Sequence, residues 1–130
     1  MQRFKVPHIV SKEEIGIEPI ELLTAFDLHD SIVESVEYLL NENKVLIKLE
    51  LCRWKQANFD EFESEMQEGV LTFTDVDSFQ IEPPSFLLNS NEVLDIKVHH
   101  ESRSIEIILT GTDDVGKVSV IAKDIFWEEC

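Results

Sequence analysis

The sequence predicts a mainly β protein: an antiparallel β-sandwich or open barrel of about seven strands with one or two short helices. Apolar and polar residues alternate in several segments, as in strands with one buried face. The most regular run places four apolar side chains on one face: Val45, Ile47, Leu49 and Leu51. Short turn-forming stretches separate the strands, without the strand–helix alternation of a parallel sheet. At 130 residues we expect one domain, with an N-terminal arm and short helix over 1–27 and a β core over 28–130.

The N-terminal part contains one predicted edge strand or arm and one predicted helix. Pro7 interrupts the apolar run at residues 4–10, and proline cannot donate to a strand ladder. Pro19 suits the first turn of a helix, which we predict to continue through residues 20–26.

A polar corner over residues 27–31 leads into a long hairpin, the centre of the predicted fold. In its first strand, residues 32–40, Glu34 falls on the same face as Ile32, and a β-bulge near Glu34 and Ser35 would resolve that conflict. A four-residue turn then precedes the second strand, which contains the alternating run given above.

The periodicity changes after Trp54. Phe59, Phe62 and Met66 recur at helical spacing and Asn58 suits the N-cap, so we predict a short amphipathic helix or a lid-like loop that ends at a glycine, Gly69.

Five further strands follow, at residues 70–75, 78–82, 92–100, 105–109 and 118–127. Within 92–100, Leu94, Ile96 and Val98 are predicted to share the apolar face, with His99 on the polar one.

The formal net charge is −16, which argues against nucleic acid and anionic membranes as partners because both attract basic proteins. Residues 56–96 contain no Lys or Arg. The acids of that block are Asp60, Glu61, Glu63, Glu65, Glu68, Asp75, Asp77, Glu82, Glu92 and Asp95. Such a block either serves solubility or steers a basic protein partner toward it.

The termini and cysteines favour a cytoplasmic protein. The N-terminus lacks an apolar signal region, and no segment approaches 18 apolar residues. Two cysteines, Cys52 and Cys130, do not make a disulfide framework.

Histidines and acids form no recognisable catalytic or metal motif. Adjacent His29 and Asp30 resemble a pair used by metal-dependent phosphohydrolases, but the further ligands are missing, so we interpret both as corner-forming residues. His99 and His100 point to opposite faces of a strand. Four potential zinc ligands are scattered without ligand spacing: His8, His29, Cys52 and His99.

Other chemistries have equally little support. Asp113 and Asp114 lie in a Gly-flanked turn that lacks the alternating acids of a calcium loop. No phosphate-binding or nucleophile motif occurs. We therefore expect no enzyme activity, no metal and no cofactor.

The predicted partner-binding site combines the acidic block with neighbouring aromatic residues, which either pack in the core or serve as the few anchors in which interfaces concentrate their energy. Its residues are Trp54, Phe59, Asp60, Glu61, Phe62, Glu63, Glu65 and Glu68.

The segment Leu28-His29-Asp30-Ser31, the hairpin that ends at Trp54, and Val70-Leu71-Thr72-Phe73-Thr74-Asp75-Val76 carry a resemblance. Over residues 28–127 the chain resembles small uncharacterised bacterial β-proteins, some of them grouped with immunity proteins of polymorphic toxin systems. The resemblance implies no catalytic residues.

The sequence thus favours a non-enzymatic acidic protein-binding domain, in its concrete form an immunity protein that neutralises a basic toxin. Two alternatives stay open: a small-molecule or carbohydrate-binding β-module, and a small hydrolase that uses paired carboxylates.

Overall fold

The computed structural model describes residues 27–52 and 66–129, together with Glu21 and Leu23. Six strands occupy these ranges: β1 Ile32–Leu39, β2 Lys44–Cys52, β3 Met66–Glu82, β4 Asn91–His99, β5 Ser104–Thr110 and β6 Val115–Glu129. All neighbours are antiparallel, in the order β1-β2-β3-β6-β5-β4, and a short pairing between β1 and β4 makes the sheet ring-like. The mainly β, antiparallel prediction is confirmed, and one curled sheet is closer to the open-barrel alternative than to a two-sheet sandwich.

The described residues contain six strands, one fewer than predicted, because two predicted strands are one. Residues 70–75 and 78–82 both belong to β3, which runs unbroken along β6. Asp75 has a φ of 51°, and the register with β6 shifts between Val76 and Ser78. A bulge at this point bends the strand without ending it.

The β1–β2 hairpin follows the prediction closely. The pairing register shifts between Val33 and Ser35, so the predicted bulge at Glu34 is confirmed. A 3₁₀ turn at Leu40–Glu42 and Asn43, in the left-handed region at φ 55°, connect the two strands.

The predicted apolar face of β4 is wrong at Leu94. Leu94 is 44% exposed, whereas Val93 is only 1% exposed and faces the core. The register with β5 shifts between Val93 and Asp95, so Val93 takes the inward position while Ile96 and Val98 keep theirs. A bulge that single-strand alternation does not reveal caused the error.

The core fills the inside of the ring. Every strand contributes alternate apolar residues, among them the fully buried Phe73, Ile47, Leu49, Leu71, Leu109 and Ile125. Trp127 covers Gly69, whose position leaves no room for a β-carbon. Gly69 therefore lies inside β3 and does not end a helix as predicted.

The remaining N-terminal and inter-strand predictions fall mostly outside the described residues. This applies to the edge strand at 4–10, to most of the helix predicted at 20–26, and to the helix or lid predicted after Trp54. Glu21 and Leu23 have helical backbone, and Met66 is the first residue of β3. No helix in the described part of the chain has the length and hydrophobicity needed to cross a bilayer.

Candidate functional site

Of the eight residues predicted to bind a partner, the structure describes Glu68. Trp54 and the six others, between Phe59 and Glu65, lie outside the described residues. Glu68 is exposed near the start of β3, on the outer face of the sheet.

Glu68 lies in a cluster of three carboxylates on neighbouring strands, which we call the acidic cluster: Glu34, Glu50 and Glu68. Each contributes an oxygen within 4.8 Å of the others. Glu50 on β2 is directly opposite Glu68 on β3, and the bulge in β1 adds Glu34. Lys48 Nζ lies 3.8 Å from Glu34 Oε2, so this cation partly offsets the three negative charges.

The rest of the described acidic block is divided among other parts of the sheet. Asp75 and Asp77 lie at the β3 bulge, and Glu82 lies 3.8 Å from the Lys117 amine at the far end of the strand. Asp95 lies on β4 beside His29. Among the described residues, the acids of the block therefore do not form a single negative surface, and the cluster around Glu68 includes Glu34 and Glu50, which lie outside the block.

The acidic cluster is suited to accept positive charge. Like charges directly opposite one another destabilise a sheet, whereas an ammonium or guanidinium group can share several carboxylate oxygens. Glu34, Glu50 and Glu68 belong to the outer surface of the sheet, where Glu68 is exposed and the other two are half-buried.

We expect Glu68→Gln to stabilise the folded protein by about 0.2–1 kcal/mol, because it removes one of two like charges at a directly paired position. Urea unfolding of the variant and the wild type checks this. Glu101→Gln, at an exposed acid in the β4–β5 turn, is the matched control. Equal gains from both variants would mean that net charge, and not the local pair, is responsible.

A second cluster lies at the corner before β1 and joins residues far apart in sequence. His29 Nδ1 is 2.8 Å from Asp27 Oδ1, and His29 Nε2 is 3.2 Å from Asp95 Oδ1. Asp27 Oδ1 also accepts the backbone N–H of His29, at 2.9 Å. His29 and Asp30 lie in a turn, as predicted. Neither Asp27 nor Asp95 was predicted as a partner of His29, and Asp95, 66 residues away in the sequence, gives no local signal.

The environment of His29 raises its pKa above the ordinary value of 6.5. The hydrogen bond to Asp27 is the largest cause, partial burial opposes it, and the charge of Asp27 and the bond and charge of Asp95 add to the increase.

A third group of charges forms a ladder across the outer face of four strands. Glu106 on β5 bonds to His99 Nε2 at 2.6 Å and to Lys117 Nζ at 2.9 Å, and Lys117 also approaches Glu82. The bonds from Lys117 and then from His99 lower the pKa of Glu106, while Glu106 raises the pKa of Lys117. Alternating charge on paired strands is typical of sheet stabilisation.

Among the hollows that the described residues line, one lies beside the turn at 111–114 and has mainly polar walls. It has a volume of about 410 Å³ and is lined by Ser85, Leu87, Asn89, Asn91 and the turn 111–114. The Gly111 N–H donates to the Asp114 carbonyl at 2.8 Å, which closes this turn on itself. No Trp or Tyr lines the hollow, although an aromatic wall is what the carbohydrate-binding alternative calls for.

Comparison of the chain with protein-family models, curated proteins and solved structures found no match. The resemblance to immunity proteins therefore stays a prediction, and the functional argument depends on the geometry.

Proposed function

We propose that this protein is a non-enzymatic binding domain whose acidic cluster receives a basic protein partner, with an immunity protein that neutralises a basic toxin as its concrete form. The observation that supports the proposal is the convergence of Glu34, Glu50 and Glu68 within 4.8 Å on the outer sheet surface. The arrangement is unfavourable for the isolated fold and favourable once a cation approaches.

Charged and aromatic residues are expected to have different roles in this interface. Exposed charges act mainly on the rate of encounter, and buried aromatic anchors act mainly on the rate of dissociation. Glu68 and its two neighbours in the acidic cluster would set the association rate, and Trp54, Phe59 or Phe62 would set the dissociation rate. The hydrolase alternative requires paired carboxylates in a cleft, whereas Glu50 and Glu68 are paired across two strands on the outer face of the sheet that the described residues form.

The test is association with a purified basic protein of the nuclease-toxin class, measured by stopped-flow fluorescence over a range of salt concentrations. We expect the double variant Glu50→Gln/Glu68→Gln to associate about tenfold more slowly at low salt, the lower end of the range for electrostatic steering. Its rate should also depend less steeply on salt.

Two features of the design separate binding from folding. Glu68→Gln is expected to raise stability, so its slower association cannot be attributed to unfolding. The control Glu101→Gln/Asp113→Asn removes the same charge from exposed turns and should associate at the wild-type rate. An association rate that changes neither with salt nor in Glu50→Gln/Glu68→Gln would contradict the electrostatic proposal.

A further inference from the structure

The contact between β1 and β4 is the weakest seam of the ring. These strands share two residue pairs, Ile32 with Glu92 and Val33 with Asn91. Two backbone bonds at the corner extend the seam: the Val93 N–H donates to the Ser31 carbonyl at 2.8 Å, and the Asp30 N–H donates to the Val93 carbonyl at 3.2 Å.

The side chain of His29 adds a further contact between the corner and β4, through Asp95. Its ring lies between Asp27, on its own corner, and Asp95, on β4. The Asp95 carboxylate is itself held in place, because its Oδ1 accepts the Ile96 N–H at 2.9 Å.

The two contacts impose a protonation state. A neutral imidazole carries one N–H, and its other nitrogen is an acceptor. Both ring nitrogens of His29 face carboxylate oxygens, so only the imidazolium can donate to both. We propose that His29 is a proton-operated clasp: its protonated ring fastens the corner to β4 through Asp95, and loss of the proton releases that contact.

The bond to Asp95 is the one that deprotonation removes. Asp27 Oδ1 is closer to the ring and is oriented by the backbone N–H of His29, so the remaining proton stays on Nδ1. The lone pair on Nε2 then faces the Asp95 carboxylate at a distance where the two repel each other. Deprotonation therefore removes the contact between His29 and Asp95 and keeps the contact between His29 and Asp27.

The electrostatics agree in direction. Asp27 from the corner and Asp95 from β4 are the charged groups that act on His29 among the described residues, and both favour its charged form. Because the pKa is raised in the folded state, the stabilisation is fully present below the unfolded value of 6.5 and is lost as the pH rises through the folded pKa. The clasp is thus fastened at mildly acidic pH and opens above it.

We would measure the clasp by NMR on the full chain, with ring signals of His29 assigned by comparison with His29→Gln. The His29 signals should titrate above pH 6.5. Hydrogen-exchange protection of the Val93 and Asp30 amides, after correction for the intrinsic rate at each pH, should fall across the same titration.

Variants distinguish a clasp from a general loosening of the protein. Asp95→Asn should lower the His29 pKa and remove the pH dependence of Val93 protection, while His99→Gln, at the separate charge ladder, should change neither. Titration of wild-type His29 at or below 6.5, or protection that does not change with pH, would overturn the proposal even if Asp95→Asn failed to fold. A titration that EDTA shifts would overturn it too, since a metal ion would then hold the contact.

Discussion

Replacing Phe73 by alanine is expected to destabilise the fold by about 3–5 kcal/mol, the usual range for removing a fully buried aromatic ring. Among the described residues Phe73 is the largest fully buried side chain, and it lies on β3 between Val45 of β2 and Ile125 of β6. Both neighbouring strands are hydrogen-bonded to β3, so the backbone cannot collapse into the cavity. Domains of this kind are stable by about 5–15 kcal/mol, and the variant would lose a large part of that.

Guanidinium unfolding followed by far-UV circular dichroism measures the loss. Phe73→Leu keeps most of the volume and should cost less than about 1.5 kcal/mol, which makes it the matched control. A cost below 1 kcal/mol for Phe73→Ala would mean that the ring does not fill the centre of the core.

Gly69→Ala should have the second-largest effect, a loss of about 3 kcal/mol at the upper end of the range for overpacking. A β-carbon at this position would overlap the Trp127 ring and lie 2.6 Å from the Glu128 carbonyl oxygen. Neither can move without disturbing β6, whose pairing with β3 is the longest in the sheet. Thermal unfolding followed by tryptophan fluorescence measures the change.

Gly116→Ala is the comparison for this prediction. Its β-carbon would meet the ring of Phe86, a side chain in the loop between β3 and β4, and no backbone atom is among its closest contacts. Phe86 is buried, but the loop that carries it can shift more readily than the paired backbone of β6, so this variant should cost less than Gly69→Ala. Partial recovery in Gly69→Ala/Trp127→Phe would assign the cost to the tryptophan, whereas equal losses at Gly69 and Gly116 would contradict the explanation.

The alternation of apolar and polar residues was sufficient to predict strands that have one face against the core. The alternation from Val45 to Leu51 predicted β2 and its buried face, and the misplaced Glu34 predicted the bulge in β1. The same reasoning failed at Leu94 and divided β3 in two, because a bulge changes the face of every later residue and leaves little trace in composition.

The candidate site was harder to predict than the fold. Glu68 was chosen for its position in an acidic block, yet its charged neighbours Glu34 and Glu50 come from the hairpin before that block. His29 was correctly placed in a corner, but its partner Asp95 is 66 residues away. No spacing in the sequence reveals either group, because register and strand order determine which residues become cross-strand neighbours.

The sequence by itself determined an acidic, antiparallel β protein, because side-chain alternation and turn residues act over a few neighbouring positions. Tertiary structure decided that one sheet curls on itself, which carboxylates converge, and which one reaches His29 across the seam. Those outcomes depend on how strands pair at long range, where a shift of one residue moves every side chain to the opposite face.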